Sequence, residues 1–260
     1  MSIQVDNVTV RFGGVTALSG ISISLTEGQI VTVIGPNGSG KSTLFNAITG
    51  LVPIADGVVR IGGTDMAHTP AYLRIARGLA RSFQTPRFDP RVSVEDAVLC
   101  GFYPVSRAGI FGSMLRSPRV SREERAFLDD CKRILEDFRL SNLSHKTLGE
   151  LPMGQVRLVE VARAIANQPR YLLLDEPAAG LTKVEQGILI AEIRRLAGIG
   201  VGILLVEHNF AMVRELADEA IVLDRGEMLL RGKPADLMHD PAFIDAYLGT
   251  SHSHQQEKAR

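Results

Sequence analysis

The sequence predicts an α/β fold with a mixed sheet, and three patterns lead to that prediction. Apolar and polar residues alternate over the first 25 residues, as at Ile21, Ile23 and Leu25, which is typical of half-buried antiparallel strands. Short runs of branched apolar residues such as Ile30–Ile34 are typical of parallel strands buried on both faces. Helical periodicity dominates from about residue 89 to residue 159. We therefore expect an α/β core, an N-terminal antiparallel β subdomain and an inserted α-helical subdomain.

The later elements follow in an order that supports a parallel sheet. Ile30–Ile34 is followed by a glycine-rich loop and a helix from about Ser42 to Thr49. Two further apolar runs, Leu172–Leu174 and Gly202–Val206, also precede helical patterns, which is typical of βα units. After the second of these helices, a turn at Asp224–Glu227 separates two apolar runs and predicts a hairpin.

The domain organisation that we predict is a single domain over residues 1–250. In it, a catalytic core of residues 1–88 and 160–235 encloses the helical subdomain of residues 89–159, and residues 236–250 form C-terminal helices. The polar residues 251–260 are expected to be a disordered tail.

Composition excludes several classes of protein. The 29 basic residues balance 29 acidic residues, which argues against a nucleic-acid binder with a broad basic face. No apolar run approaches the roughly 18 residues of a membrane span. We expect no secretory signal at the N-terminus. Cys100 and Cys131 are expected to be buried, reduced thiols in a cytosolic protein.

The strongest motif is a phosphate-binding loop with the Walker A sequence. It reads Gly35-Pro36-Asn37-Gly38-Ser39-Gly40-Lys41-Ser42 and lies between a predicted strand and a predicted helix. Glycines let several backbone N–H groups converge on phosphate oxygens, and the helix directs its positive end at the same anion. Lys41 would bind the β- and γ-phosphates, the Ser42 hydroxyl would ligate Mg²⁺, and Thr43 would donate to phosphate. The motif predicts a P-loop NTPase core that binds ATP and Mg²⁺; the alternative is a strand–helix turn without a ligand.

Two carboxylates end the second buried run. Asp175 and Glu176 would lie at the carboxyl edge of the sheet, where open α/β folds bind ligands. Asp175 could hold Mg²⁺ through water, and Glu176 could polarise the attacking water. The alternative is a strand that ends in solvated acids.

Two more polar residues follow predicted strands. His208 comes just after Gly202–Val206, where its imidazole could donate a hydrogen bond to the γ-phosphate. Gln84 follows the apolar segment around Leu79, where it could orient water or contact the metal. Each could instead be an ordinary surface or loop residue.

In this order the motifs resemble the ATP-binding subunit of an ABC transporter over about residues 3–249. The segments that carry the resemblance are the phosphate-binding loop, Gln84, Leu151–Gln155, Leu174–Pro177, Ala179–Leu181 and His208.

The resemblance implies further roles around the nucleotide. Phe12 would stack on adenine, and Gln84 would be the Q-loop glutamine, which senses Mg²⁺ and communicates with the membrane subunit. Leu151–Gln155 would be the signature motif, in which Gly154 and Gln155 cap the ATP of an opposing subunit.

The resemblance also implies the catalytic groups. Glu176 would be the base and His208 the switch histidine, acting with Lys41 and Gln84. Gly180 and Leu181 would lie in the D-loop, which crosses the dimer interface.

The signature departs from the usual Leu-Ser-Gly-Gly-Gln at Pro152 and Met153. Pro152 offers neither a hydroxyl nor an N–H to a γ-phosphate, although it suits the first turn of the following helix. The branched-chain amino-acid uptake family also departs from the serine. That family is the nearest resemblance, through Arg11–Leu18, Asp175–Leu181, Glu207–Asn209 and Ala246–Gly249.

The implied function is ATP hydrolysis that powers solute import, with branched-chain or other amino acids as cargo. The implied partners are membrane permeases, a second ATPase subunit (a paralogue or a second copy) in a head-to-tail dimer and, indirectly, a solute-binding protein. No nucleic-acid partner is expected, and the location would be peripheral, on the cytoplasmic face of the inner or plasma membrane. The alternatives are a soluble non-transport ABC ATPase, a regulatory ATP-binding subunit with weak hydrolysis, or transport of urea, amides or lipopolysaccharide.

Overall fold

The computed structural model describes residues 1–82, 88–105 and 118–244. Within these ranges the strands are β1 Ser2–Phe12, β2 Val15–Thr26, β3 Ile30–Ile34, β4 Asp56–Ile61, β5 Thr64–Asp65, β6 Leu79–Arg81, β7 Tyr171–Asp175, β8 Gly202–Val206, β9 Glu219–Asp224 and β10 Glu227–Gly232. The α-helices are α1 Lys41–Thr49, α2 Ala71–Ile75, α3 Val94–Leu99, α4 Pro118–Asp137, α5 Met153–Ile165, α6 Lys183–Gly198, α7 Phe210–Leu216 and α8 Pro234–Leu237.

The N-terminal sheet is antiparallel, as the alternating pattern predicts. Its strand order is β2-β1-β4-β5. Val5, Val8 and Val10 of β1 are fully buried between exposed polar neighbours, so one face of the sheet packs on the core. The pairing of β1 with β2 carries register shifts between Val5 and Arg11, which lets buried residues stay inward along long strands.

The central sheet has the order β10-β9-β3-β8-β7-β6. The pairs from β9 to β6 are parallel, and β10 adds to the edge as the antiparallel half of the predicted hairpin. Every residue of β3, β7 and β8 is buried, which explains why their sequences are apolar without alternation. The carboxyl ends of these three strands therefore meet at one edge of the sheet.

The helical region packs against the central sheet through one large apolar core. Cys131 and Leu135 of α4 and Phe138, the residue that follows it, are buried there and share the spacing of one helical face. Leu128, three positions before Cys131 on the same helix, is 37% exposed and lies at the margin of that face. The prediction that both thiols are buried is wrong for Cys100, which is exposed at the start of a 3₁₀ helix, Cys100–Val105.

The predicted division into core and helical subdomain stays a prediction. Its limit between residues 159 and 160 falls inside α5, so one helix continues across it. The predicted tail, residues 251–260, and residues 245–250 lie outside the described ranges.

Over the described ranges, none of the helices combines the length and apolar composition that crossing a bilayer requires. The 20-residue helix α4 is long enough but carries many charged residues.

Candidate functional site

The phosphate-binding loop, residues 35–42, follows β3 and ends in α1. A Cβ atom at Gly35 would lie 2.1 Å from the carbonyl oxygen of Leu223, and one at Gly40 would lie 2.6 Å from Leu18 Cδ2. Gly40, at φ 102°, also precedes α1 in a conformation that favours glycine. Close packing against β9 and β2 therefore requires glycine at these two positions and fixes the loop in place.

Lys41 is the first residue of α1 and is buried. Its Nζ donates to the carbonyl oxygens of Gly35, at 2.7 Å, and Pro36, at 2.8 Å, so the ammonium group lies in the concave side of the loop. Burial lowers the pKa of Lys41, while the nearby charges of Glu176 and Asp175 act in the opposite direction. A poorly solvated cation in this position gains much from an anionic ligand.

The loop forms the floor of a cavity of about 560 Å³. Its lining comes from the start of β2, the phosphate-binding loop with the first turn of α1, the residue after β7 and the turn between β9 and β10. The residues are Val15, Thr16, Ala17, Asn37, Gly38, Gly40, Lys41, Ser42, Thr43, Glu176 and Arg225. The structure thus places Lys41, Ser42, Thr43 and Glu176 around one space.

Asp175 ends β7 and pairs with Arg81 at the end of β6. The Arg81 guanidinium donates to Asp175 Oδ2 at 3.1 Å, and both side chains are almost fully buried. Burial raises the pKa of Asp175, and the Arg81 charge opposes that shift. Sequence reasoning missed this partner, because β6 lies beside β7 only through the parallel pairing of the folded sheet.

Glu176 has a left-handed backbone, with φ 48°. Its N–H donates to the carbonyl oxygen of Val206 at 2.9 Å, which joins the ends of β7 and β8. Its own carbonyl oxygen accepts from Arg157 of α5 at 3.0 Å. These bonds hold in place a conformation that is unfavourable for a residue with a side chain.

Glu207 is a buried residue of this edge that the sequence prediction missed. Its carboxylate accepts from the N–H groups of Ala178, at 2.9 Å, His208, at 3.2 Å, and Asn209, at 3.4 Å. Burial raises its pKa, and the three N–H donors oppose the shift. The signal was an acid directly after a buried strand, the same pattern that singled out Asp175 and Glu176.

Of the remaining predicted residues, His208 and Phe12 are not among those that line the cavity. His208 follows β8 at the same sheet edge and is exposed. Phe12 ends β1, pairs with Val15 and is 50% exposed; Val15 lines the described cavity, whereas Phe12 is not among its lining residues. Gln84 lies outside the described residues, so its predicted role is untested.

The motif Leu151–Gln155 begins helix α5. Pro152 lies just before the helix instead of in its first turn, and its carbonyl oxygen accepts from Val156 at 3.2 Å. Met153 is 60% exposed. Gly154 is buried, and a Cβ there would lie 2.8 Å from Glu185 Oε2 and 3.1 Å from the Gly180 carbonyl oxygen. The motif therefore packs against the loop that follows Glu176.

Arg225 is a further residue that the sequence prediction missed. It occupies the turn between β9 and β10, lines the cavity, and its side chain is 94% exposed. The next residue, Gly226, donates to the Ser39 carbonyl oxygen at 3.1 Å, which fixes the turn against the phosphate-binding loop.

The sequence of this chain is similar to those of known proteins. The family model described as ABC transporter matches residues 18–179. The chain is 33% identical over 248 residues to the high-affinity branched-chain amino acid transport ATP-binding protein BraF of Pseudomonas aeruginosa, covering 95% of this chain and 97% of that protein. It is also 33% identical over 250 residues to LivG of Salmonella typhimurium, with the same coverage.

Solved structures show the same fold. The ADP conformation of an ATP-binding cassette of an ABC transporter superposes with a TM-score of 0.82 at 30% identity, covering 96% of this chain and 99% of that chain. A dimeric post-hydrolysis state of another cassette, bound to ADP and phosphate, gives a TM-score of 0.76 at 25% identity and covers 89% of this chain and 98% of that chain.

Proposed function

Because the chain belongs to the ABC transporter family, we propose that it is the ATP-hydrolysing subunit of an importer for branched-chain or related amino acids. The observation that carries the catalytic part is that Lys41 and Glu176 line one cavity whose floor is a phosphate-binding loop. The cargo is proposed from the names of the relatives, several of which are branched-chain amino acid transport ATP-binding proteins.

ATP binding would use the loop and the start of α1. Lys41 Nζ, now bonded to two loop carbonyls, can donate instead to phosphate oxygens, which are stronger acceptors because they are charged. Ser39, Gly40 and Thr43 would add N–H or hydroxyl donors. Val15 and Ala17 supply an apolar wall for the nucleoside, and Phe12 lies next to that wall at the end of β1.

The residues present also fit Mg²⁺. In the described part of the chain, no three His, Cys, Asp or Glu side chains form a metal site by themselves, so phosphate oxygens would have to complete the coordination. Ser42 and Asp175 are oxygen donors of the kind that Mg²⁺ prefers, and Gln84 would join them. When bound, the metal would neutralise charge on the phosphates.

Glu176 would act as the general base in hydrolysis. Its carboxylate would take a proton from water as the water oxygen bonds to the γ-phosphorus and the bond from that phosphorus to the ADP oxygen breaks. His208, on the loop after β8, would donate a hydrogen bond to the γ-phosphate.

Dimerisation would complete the site. Gly154 and Gln155 lie at the N-terminal end of α5, where backbone N–H groups favour an anion. We infer that this end caps the ATP bound by an opposing subunit, a paralogue or a second copy. Pro152 removes one potential donor, so the cap would depend on the N–H groups from Met153 onward.

An apolar groove of about 420 Å³ would receive a membrane permease. Leu51, Tyr72 and Ile75 line it and are 52%, 72% and 38% exposed, and such exposed apolar groups mark interaction surfaces. Arg81 lines the same groove and binds Asp175, so a docked partner would touch a side chain of the nucleotide site. We propose a peripheral location on the cytoplasmic face of the membrane, with a solute-binding protein acting indirectly through the permeases.

Cys100 provides a test of the groove. It lines the groove and is exposed, whereas Cys131 is buried and burial raises its pKa to about 12, which suppresses its thiolate. A maleimide should label Cys100 of the isolated chain. It should not label Cys100 in native membranes, where the permease would cover the groove. Equal labelling in both samples would exclude the groove as the permease contact.

Hydrolysis is tested by Mg²⁺-dependent turnover of the purified chain. Lys41→Ala should abolish ATP binding, and Glu176→Gln should retain binding but reduce kcat by at least about 100-fold. ATP binding without turnover in the unaltered chain would favour the regulatory alternative, which Pro152 and the exposed Met153 suggest.

A further inference from the structure

We propose that Arg157 is a positioning residue for hydrolysis, which links the signature helix α5 to the main chain of Glu176. This inference rests on the proposed function, because it takes Glu176 as the base. The observation behind it is the hydrogen bond from the Arg157 guanidinium to the Glu176 carbonyl oxygen, at 3.0 Å.

The main chain of Glu176 needs external support. Its φ of 48° is unfavourable for a residue with a Cβ atom. The N–H is bonded to Val206, and the carbonyl oxygen accepts from Ala179 at 3.3 Å and from Arg157 at 3.0 Å. Of these partners, Arg157 alone belongs to the helical region, and as a charged donor it forms the stronger kind of hydrogen bond.

The same helix contacts this loop at a second point. Gly154 lies one turn before Arg157, and its Cα packs so closely on Gly180 and Glu185 that a Cβ would reach 3.1 Å and 2.8 Å from their oxygens. Displacement of the start of α5 would therefore disturb both the loop after Glu176 and the hydrogen bond to its carbonyl. Binding of the opposing subunit's nucleotide to the signature motif would in this way change the position of Glu176 in the same subunit.

Arginine suits this task better than other residues. Its planar guanidinium keeps its charge and carries several donors on a long side chain, so it can span from a helix to a main-chain carbonyl. Lysine retains the charge and a donor but lacks the fixed geometry. Methionine has a similar length without any donor.

The test compares Arg157→Met and Arg157→Lys with the unaltered full-length chain in ATP binding and in turnover. A misplaced base should lower kcat by up to about 100-fold while the Kd for ATP stays within about twofold. Arg157→Lys should recover a large part of kcat. Arg163→Met is the control on the same helix, because Arg163 pairs with the buried Glu160 and stacks on Phe88; it should lower the unfolding midpoint without changing kcat.

The outcomes separate this proposal from the function on which it rests. If Glu176→Gln abolishes turnover but Arg157→Met keeps the normal kcat, the positioning role is wrong and the function stands. If Arg157→Met lowers kcat, ATP affinity and the unfolding midpoint together, and Lys restores none of them, Arg157 is only structural. If Glu176→Gln hydrolyses ATP at the normal rate, Glu176 is not the base, and the positioning role of Arg157 is wrong as well.

Discussion

Arg81 and Asp175 form an ion pair at the buried edge of the central sheet, with 3.1 Å between Arg81 Nη2 and Asp175 Oδ2. Arg81 also donates to Asn46 Oδ1 at 2.7 Å and Thr49 Oγ1 at 3.2 Å, both on α1. One guanidinium thus connects the helix that begins at the phosphate-binding loop to the strand that ends in the acidic pair.

Arg81→Met should destabilise the protein by about 3 kcal/mol at neutral pH, because it leaves a carboxylate buried without its partner. Burial already raises the pKa of Asp175, and loss of Arg81 raises it further. Folding then favours the protonated acid, so the loss of unfolding free energy caused by Arg81→Met should become smaller as pH falls through that raised pKa. Urea unfolding at about pH 7 and about pH 5 measures both effects.

The matched control is Arg91→Met, which removes an exposed arginine paired with Asp89 at 2.7 Å. Exposed pairs are screened by water, so little change is expected there. If Arg81→Met lowers the unfolding free energy only slightly, or lowers it more as pH falls, the buried ion pair does not stabilise the protein as proposed.

Glu207→Leu should be more harmful than Glu207→Gln, because leucine leaves three N–H groups without an acceptor, at a cost of about 3 kcal/mol. Glutamine keeps one acceptor oxygen and carries no charge. The pKa of Glu207 is raised in the folded state, so its protonated form favours folding. This stabilisation is fully present at pH values below the ordinary pKa of a glutamate and is lost as pH rises through the raised pKa. The unfolding free energy of Glu207→Gln, relative to the unaltered chain, should therefore improve with rising pH.

Glu227→Gln serves as control, since Glu227 is an exposed acid of β10. This substitution should change the unfolding free energy little, because the side chain is exposed to water. Turnover should fall in Glu207→Leu, because the backbones of Ala178 and His208 lose their shared anchor. Normal kcat and stability in that variant would show that the anchor is dispensable.

The sequence alone predicts the parallel strands and the phosphate-binding loop, because local composition determines both. β3, β7 and β8 are buried on both faces and therefore read as uninterrupted apolar runs. Arg157 and Arg225 could not be found in this way. Arg157 meets Glu176 across 19 positions of chain, and Arg225 reaches the cavity only because β9 pairs with β3.

Arg74 should be a large contributor to stability outside the site. Its buried guanidinium donates to the carbonyl oxygens of Ala47, Ile48, Met66 and Thr69 and so closes the C-terminal end of α1. Arg74→Met should cost about 3 kcal/mol in urea unfolding, because these acceptors stay buried. Arg77→Met, at an exposed neighbour, should change little, and similar losses in both variants would argue against this role.

Arg225→Asn should weaken ATP binding by about threefold, the size expected for an exposed charge near an anion. Arg225 lines the cavity, and its Nε lies 3.9 Å from Asp224 Oδ2. Asparagine tolerates the left-handed backbone of this position, φ 45°, so the substitution removes the charge and leaves the turn intact. Calorimetric titration with ATP at low salt measures the effect, and high salt should reduce it.

Arg139→Asn is the matched control, because Arg139 is also exposed and left-handed, with φ 54°, but lies at the end of α4 outside the cavity. It should bind ATP like the unaltered chain. A loss of affinity that is equal in the two variants would point to net charge instead of a local contact. A loss in Arg225→Asn that persists at high salt would mean that the turn supports the phosphate-binding loop mechanically, through the Gly226–Ser39 hydrogen bond, and not through the guanidinium charge.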